Sequence, residues 1–147
     1  MSYTSVFDII GPIMVGPSSS HTAGALKIAK HARGQLHNIP TKATITLYNS
    51  FAKTYKGHAT DVALIGGILD FETDDLRIPQ AKTLANDANI AIAFILEEDV
   101  TRHPNTVHLE LESEDLSVSV LGESIGGGAI NILSTTVVPK KEVKSHV

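Results

Sequence analysis

The sequence contains no cysteine and no tryptophan, and only 5% of its 147 residues are aromatic. The absence of cysteine excludes disulfides, thiolate zinc sites and a thiolate-held iron-sulfur cluster within this chain. No apolar run reaches the length of a membrane span, and the first residues lack the basic start, apolar core and cleavage site of a signal peptide. We therefore expect a cytoplasmic protein with no membrane partner.

The chain also lacks an excess of basic residues, with 12 Lys and Arg against 16 Asp and Glu and a net charge of -4. Nucleic-acid-binding domains usually carry a basic patch, so we expect no nucleic-acid partner. The length and the 42% hydrophobic content fit one compact domain. After Val138 the sequence turns basic and polar, which predicts a domain over 1–138 and a linker or tail over 139–147.

Hydrophobic spacing predicts helices that alternate with strands. Helical spacing indicates helices over 21–36 and 60–69 and a third that begins at Pro79. The continuous apolar run at 89–98 is typical of a central strand. Alternating or β-branched segments predict four more strands, of which the second and third form a hairpin: 42–48, 106–112, 116–122 and 129–138. The predicted fold class is α+β, a single domain with a mixed β-sheet packed by helices.

The stretch "VGPSSSHTAG" (15–24) places three serines directly before the first predicted helix. The amides at a helix N-terminus are unpaired and lie at the positive end of the helix dipole, so this turn is a candidate seat for a carboxylate or phosphate. A serine in this position can equally serve as an N-cap. Both interpretations stay open for Ser18, Ser19 and Ser20.

The stretch "KTYKGHATD" (53–61) places His58 between Gly57 and a predicted helix. The positive end of a helix dipole and two nearby lysines disfavour imidazolium, so a neutral His58 could accept a proton. A histidine that only caps the helix fits the same residues. Asp61 belongs to the first turn of that helix, where it interacts with the dipole or orients His58.

Three further features of the sequence are polar or glycine-rich. In "RHPNTVH" (102–108), His103 and Asn105 precede a strand and either reach a site or reflect loop polarity. Glycines in "SIGGG" (124–128) let the backbone approach a ligand or a neighbouring strand closely. The other histidines are expected at the surface or in the tail: His31, His37, His108 and His146. Nothing repeats at the spacing of a metal motif, so we expect no metal site on this chain.

Taken together, "SVFDIIGPIMVGPSSSHTAGALKIAK", "KGHATD", "HPNT" and "SIGGG" occur in the order and at about the spacing of the beta chain of bacterial iron-sulfur L-serine dehydratase. The resemblance extends over about residues 4–138. The family also includes single-chain forms, and a related allosteric substrate-binding domain occurs in some phosphoglycerate dehydrogenases. The fold that this resemblance implies is α+β.

The resemblance implies a subunit of an L-serine ammonia-lyase that is inactive alone. The reaction eliminates water from L-serine, and the enamine product hydrolyses to pyruvate and ammonia. A 4Fe-4S cluster, held by cysteines of a partner alpha chain, is the family's Lewis acid. By resemblance His58 matches the catalytic base. The resemblance also implies seven substrate-binding residues: Ser18, Ser19, Ser20, His21, Thr22, His103 and Asn105.

Two departures from the family pattern stand out. Tyr55 occupies the position before "KGH" where the family often has glycine, and the sequence stops at Val147 where two-subunit beta chains usually continue into a regulatory domain. Two further hypotheses stay open: a non-catalytic allosteric domain that binds serine or another small anion, and a purely structural interaction domain. A homo-oligomer is also left open.

Overall fold

The computed structural model describes residues 20–55 and 59–140, and of Ser20 only the backbone. The helices are α1 (Ala25–Arg33), α2 (Ser50–Thr54), α3 (Thr60–Ile68) and α4 (Ala81–Asp87). The strands are β1 (Lys42–Tyr48), β2 (Ala91–Glu97), β3 (Thr106–Glu112), β4 (Leu116–Gly126) and β5 (Ala129–Pro139). A π-helical turn, Ser20–Gly24, leads into α1, and a 3-10 turn, Ile78–Gln80, leads into α4.

The strands form one sheet in the order β2-β1-β3-β4-β5. β1 and β2 are parallel, whereas the other neighbouring strands are antiparallel. The predicted α+β domain with a mixed sheet is thereby confirmed. Among the described residues, no helix is long and apolar enough to cross a membrane.

The core lies between one face of the sheet and the helices α1 and α3. Alternate residues of each inner strand point into it, as the period of a half-buried strand requires. Fully buried side chains of this core come from α1, α3 and the three inner strands: Leu26, Ile28, Leu64, Ile68, Ile45, Leu47, Val107, Leu109 and Val120. The opposite face is polar, since Thr44, Glu110 and Ser119 lie side by side across it.

The assignment of 89–98 to a central strand is wrong. β2 occupies an edge of the sheet, and two of its apolar side chains, Ile95 and Leu96, are 42% and 49% exposed. A parallel strand needs a long crossover to reach its neighbour, and α2, α3 and α4 provide it between β1 and β2. The apolar run therefore reflects its length and composition, which do not distinguish an edge from a central position.

The first helix is shorter than predicted. A π turn replaces its first α turn, α1 ends at Arg33, and Gly34 follows as the C-cap. Pro79 lies in the 3-10 turn, and α4 begins two residues later at Ala81. A short helix, α2, was not predicted, because its five residues include too few apolar positions to show a period.

The glycine-rich segment forms the tip of a second hairpin. β4 extends to Gly126, four residues past its predicted end, and Gly127 and Gly128 turn the chain with φ of 62° and 83°. Left-handed φ values at both central residues suit the tight turns that join antiparallel strands, and glycine adopts them without strain. β5 runs to Pro139, and residues 141–147 of the predicted tail lie outside the described residues.

Four histidines were expected at the surface or in the tail. His37 is exposed, with Nδ1 3.4 Å from Asp115 Oδ2, and His31 is half-buried, with Nε2 3.0 Å from Thr135 Oγ1. His108 follows the polar phase of β3 but is half-buried, and its Nε2 lies 2.7 Å from Ser119 Oγ. His146 lies outside the described residues.

Candidate active site

The π turn (Ser20–Gly24) packs against α3, β4 and β5 at the start of α1. Single π turns are rare and occur often at functional sites. Gly24 ends the turn, and a Cβ added there would overlap the hydroxyl of Ser124 in β4. Glycine thus lets the backbone of the turn lie directly on the sheet. Ser18 and Ser19 lie outside the described residues, so neither interpretation of the serines is tested.

The junction between β1 and α2 contacts this turn through a histidine. His21 Nε2 lies 3.1 Å from Ser50 Oγ, and the His21 ring meets Phe51 edge-on at 5.5 Å between centroids. Phe51 is fully buried, so the histidine ring rests on the core. Thr22 is the next residue of the π turn and is half-buried.

Asn49, directly before Ser50, has an unusual backbone conformation with φ 55° and ψ -118°. Residues other than glycine rarely occupy this region, and such strain costs about 1–3 kcal/mol. The Asn49 side chain is hydrogen bonded to the loop that follows β2, and its backbone amide donates to the carbonyl of Glu97, the last residue of β2, at 3.0 Å. Neither Asn49 nor Ser50 was predicted from the sequence as a site residue.

The "HPNT" turn (103–106) is held by the same junction. The amide of Ser50 donates to the carbonyl of Pro104 at 2.9 Å. Within the turn, the amide of Asn105 donates to Nδ1 of His103 at 2.9 Å, and Thr106 Oγ1 donates to the His103 carbonyl at 2.8 Å. Because Nδ1 accepts a hydrogen bond, the neutral ring of His103 carries its proton on Nε2, which is therefore a donor.

Two polar side chains under the π turn have buried atoms without hydrogen-bond partners in the described part of the chain: Ser124 Oγ and Asn105 Oδ1. The amide of Ser124 donates to the carbonyl of Asn105 at 3.0 Å, just beyond the last pair of the β3–β4 ladder. Residues opposite each other in antiparallel strands project from the same face of the sheet. Buried polar atoms usually have hydrogen-bond partners, and the described residues supply none for these two.

The start of α3 supplies another buried polar group. Ala59 has a left-handed conformation with φ 60°, and Thr60, which follows it, is fully buried with an Oγ1 that has no partner among the described residues. Asp61 is buried too, and its Oδ2 lies 2.6 Å from Lys82 Nζ, while its Oδ1 accepts from the Val62 amide at 2.8 Å. The described partners of Asp61 are thus the helix start and a lysine of α4.

His58 itself lies outside the described residues, but the residues that flank it are described. The amide of Asp61 donates to the carbonyl of Tyr55 at 3.2 Å. Tyr55 has φ -60° and ψ -34°, which is ordinary helical geometry and does not require the glycine that the family often has there. Its ring packs on Phe94 of β2 at 5.3 Å between centroids.

Two oppositely charged side chains, Asp99 and Arg102, lie in the loop after β2. Hydrogen bonds from the hydroxyl and then the amide of Thr101 lower the pKa of the Asp99 carboxyl below 3.8, and the nearby Arg102 guanidinium acts in the same direction. The Arg102 guanidinium also lies 5.0 Å from the centre of the Tyr48 ring. The loop before His103 is thus ordered by its own polar contacts.

An open cleft of about 300 Å³ lies elsewhere, beside β2 and α4. It is lined mainly by apolar side chains, together with Lys82 and Asn86: Tyr55, Ile65, Ala85, Ile90, Ile92 and Phe94. The residues gathered around the π turn do not line it. Because a binding site needs converging polar groups, we place the candidate active site at the π turn and not in this cleft.

The residues of this chain do not fit an iron-sulfur cluster. A cluster needs thiolate ligands, and the 147-residue sequence has no cysteine. In the part of the chain that the structure describes, no three His, Asp or Glu side chains are grouped so that they could hold a metal ion. The polar groups at the π turn are hydroxyls, amides and imidazoles, which suit a small polar ligand.

The structure brings three predicted residues, His21, His103 and Asn105, to one region through Ser50. Sequence reasoning missed four others, which lie at the ends of strands or at the start of a helix: Asn49, Ser50, Thr60 and Ser124. A polar pair directly after a strand, as in "YNS" (48–50), is the local signal that could have indicated the first two. Ser124 belongs to the glycine-rich stretch, but a role for its hydroxyl was not predicted.

Comparisons with known proteins give consistent results. Residues 5–134 match the family described as serine dehydratase beta chain. The chain is 52% identical over 132 residues to the probable L-serine dehydratase, beta chain of Bacillus subtilis, and 46% identical over 136 residues to the L-serine dehydratase, beta chain of Peptoniphilus asaccharolyticus. These alignments cover 90% and 91% of this chain but 60% and 61% of those relatives.

A third relative is less similar. The chain is 38% identical over 151 aligned residues to L-serine dehydratase 2 of Escherichia coli, which covers 86% of this chain and 33% of that relative. The chain therefore spans about 60% of the length of the two beta chains and a third of the Escherichia coli relative. The resemblance of the sequence to serine dehydratase beta chains is confirmed.

Proposed function

This chain belongs to the serine dehydratase beta chain family, and from that membership we propose that it is the beta subunit of an L-serine ammonia-lyase. In this proposal it completes, with an alpha chain, a site that converts L-serine to pyruvate and ammonia. The assembled enzyme is cytoplasmic, in line with the sequence expectation.

One observation carries the proposal: the π turn (Ser20–Gly24) and the "HPNT" turn meet at Ser50, next to buried polar atoms that have no partner among the described residues. His21 contacts the Ser50 hydroxyl, and Pro104 accepts from the Ser50 amide. Ser124 Oγ and Asn105 Oδ1 lie at the adjoining ends of β4 and β3. An amino acid offers a carboxylate, an ammonium and a hydroxyl, which such groups can bind.

The proposed roles follow from the donors that each segment offers. Ser18, Ser19 and Ser20, with the amides that follow them, bind the substrate carboxylate at the positive end of α1. His103 donates its Nε2 proton to the substrate, because its Nδ1 already accepts from Asn105. The remaining predicted residues, His21, Thr22 and Asn105, complete the polar surround.

In the proposed reaction His58 takes the α-proton of L-serine, the Cα electrons form the Cα–Cβ double bond, and the β-hydroxyl leaves as hydroxide. The resulting enamine tautomerises to an imine and hydrolyses to pyruvate and ammonia. Departure of hydroxide needs an acid, which we assign to the alpha chain because the residues of this chain do not fit a cluster. The assignment of His58 rests on the "KGHATD" sequence and on the family resemblance.

Reconstitution tests the proposal. The isolated chain should neither bind iron nor form pyruvate from L-serine. The same chain mixed anaerobically with a cluster-loaded alpha chain should form pyruvate. Pyruvate formation by the chain alone would contradict the two-subunit proposal. No pyruvate from a complex that assembles would contradict the assigned activity and favour an effector-binding domain, which needs the polar pocket but not the base.

His58→Ala tests the base. Loss of a general base lowers the rate by about a hundred- to ten-thousand-fold, whereas loss of a capping side chain costs about 1 kcal/mol of stability and little turnover. His37→Ala is the matched control, since His37 is an exposed histidine on another part of the fold. Normal turnover of His58→Ala in an assembled complex would remove this residue from the reaction.

Replacing Ser19 and Ser20 with alanine tests the carboxylate seat. A lost hydrogen bond to a charged group weakens binding by about 1.5–3 kcal/mol, so the KM for L-serine should rise by roughly ten- to a hundredfold. Thermal unfolding of the same variant separates the alternatives. A lower Tm with an unchanged KM would identify the serines as helix caps.

A further inference from the structure

Asn49 combines an unfavourable backbone with a dense set of side-chain contacts. Its φ of 55° and ψ of -118° are values that glycine adopts more readily than asparagine. A non-glycine residue persists in such a conformation only where its surroundings hold it, and such residues cluster at functional sites. The contacts of its side chain therefore indicate what holds the conformation.

The Asn49 amide reaches across to the loop between β2 and β3. Its Oδ1 accepts from the amide of Asp99 at 2.9 Å, which fixes the orientation of the side-chain amide. Its Nδ2 donates to the carbonyl of Asp99 at 2.9 Å and lies 3.2 Å and 3.4 Å from the carbonyls of Arg102 and His103. One side chain thus gathers the backbone of the loop around a single point.

The contacts of Asn49 reach residues that we propose bind the substrate. The His103 carbonyl is one of the Asn49 partners, and the His103 ring accepts from the amide of Asn105. The next residue after Asn49, Ser50, holds Pro104 on one side and His21 on the other. A change at Asn49 would therefore alter the placement of His103 relative to the π turn.

We infer that Asn49 is a positioning residue for substrate binding: its side-chain amide clamps the 99–103 loop so that the His103 ring faces the substrate. This inference rests on the proposed function. Asn49 itself does not act on the substrate and contributes through His103. The alternative is that Asn49 only stabilises the loop, with no effect on the site.

Asn49→Gly removes the side-chain hydrogen bonds of this position and leaves its backbone conformation accessible. Glycine accepts the φ and ψ of this position without strain, so the fold is kept while the side-chain hydrogen bonds are lost. In the complex with the alpha chain, we expect kcat/KM for L-serine to fall by at least about tenfold, mainly through KM, since small misplacements of binding groups have effects of this size. Amide exchange at Asp99 in the isolated chain should become faster, because that amide loses its acceptor.

A double-mutant cycle with His103→Ala distinguishes positioning from general stability. If Asn49 acts through His103, Asn49→Gly should change kcat/KM by less than about twofold in the His103→Ala background. Asn89→Gly is the matched control, because Asn89 also has a positive φ, 62°, and lies in the turn between α4 and β2. That control should leave kcat/KM unchanged.

The outcomes are separable from those of the proposed function. Absence of turnover in the wild-type complex contradicts the proposed function. With an active wild-type complex, an unchanged kcat/KM in Asn49→Gly overturns the positioning role, as does an effect equally large with and without His103. A tenfold loss that disappears in the His103→Ala background supports it.

Discussion

The hydroxyl of Ser124 lies so close to Gly24 that the π turn leaves no space for a side chain at that glycine. Gly24 itself has an ordinary helical conformation, with φ -65° and ψ -43°, so its backbone does not require glycine. The requirement is one of space. It fixes the distance between the π turn and the sheet beneath it.

Gly24→Ala should destabilise the protein by about 1–3 kcal/mol, because the added methyl overpacks a buried contact. Thermal unfolding measures this loss. Gly34→Ala is the matched control, since a Cβ there would meet its nearest atoms at an ordinary 3.5 Å. Adding Ser124→Gly should restore most of the stability lost in Gly24→Ala. A Gly24→Ala variant as stable as Gly34→Ala would show that the turn moves freely on the sheet.

Lys82→Met should destabilise the fold through the buried carboxylate that it leaves behind. Asp61 Oδ2 lies 2.6 Å from Lys82 Nζ, and the Asp61 side chain is only 6% exposed. Because the Lys82 side chain is 57% exposed, water partly compensates, and we expect a loss of about 1–2 kcal/mol in the free energy of unfolding.

The control for this ion pair is the Asp61→Asn background, in which no charge needs compensation. There, Lys82→Met should change the free energy of unfolding by less than about 0.5 kcal/mol. Chemical denaturation of the four proteins gives the comparison. Equal losses in both backgrounds would mean that Lys82 acts through packing and not through its charge.

The neutral ring of His103 should be the Nε2-protonated tautomer. Its Nδ1 accepts from the Asn105 amide at 2.9 Å, so the proton of the neutral ring must reside on the other nitrogen. Nitrogen-15 chemical shifts of the imidazole ring distinguish the two tautomers. An Nδ1-protonated ring would contradict this geometry and remove the basis for treating Nε2 as a donor to the substrate.

Asp99 should give the folded protein an acid-dependent contribution to stability. Its pKa is lowered below 3.8, first by the hydrogen bond from the Thr101 hydroxyl. A carboxyl with a depressed folded pKa stabilises the fold above its unfolded value of about 3.9, and this stabilisation is lost as the pH falls through the folded pKa. Between pH 5 and pH 3, the Tm of the wild type should therefore fall more than that of Asp99→Asn.

Thr101→Val is the control for this pH dependence, because it keeps the Asp99 carboxyl but removes the hydroxyl that donates to it. Its Tm should fall less between pH 5 and pH 3 than that of the wild type. Parallel curves for the wild type and Asp99→Asn would show that the Thr101 hydrogen bonds do not favour the charged form of Asp99.

The helices and strands of this fold were predicted from the sequence better than their positions relative to one another. Alternation in "KATITLY" (42–48) identified β1, and Thr60 and Asp61 marked the start of α3, because both signals are local. The edge position of β2 depends on which strands pair, and that is decided by contacts between residues far apart in the sequence. The π turn likewise depends on the fit of Gly24 against Ser124, which no local spacing encodes.

In the candidate site, too, local signals predicted some residues, and contacts between distant residues decided others. His21, His103 and Asn105 were identified because histidine and asparagine stand out beside prolines and serines. Asn49 escaped notice, since its importance lies in a left-handed backbone and in acceptors about fifty residues away along the chain. Residue type indicates which side chains can bind a substrate. The residues that hold those side chains in position are recognised only from the folded structure.

The sheet order also has a consequence for how the chain is synthesised. β3, β4 and β5 are joined by short turns and can pair soon after each one is made, but β1 has β2 on one side and β3 on the other. Synthesis runs from the N-terminus, so β1 and β2 leave the ribosome before the hairpins that complete the sheet. During that interval the apolar side chains of β1 lack the β3 neighbours that flank them in the finished protein. The core therefore stays incomplete until β3 and β4 have both emerged, because Val107, Leu109 and Val120 belong to it.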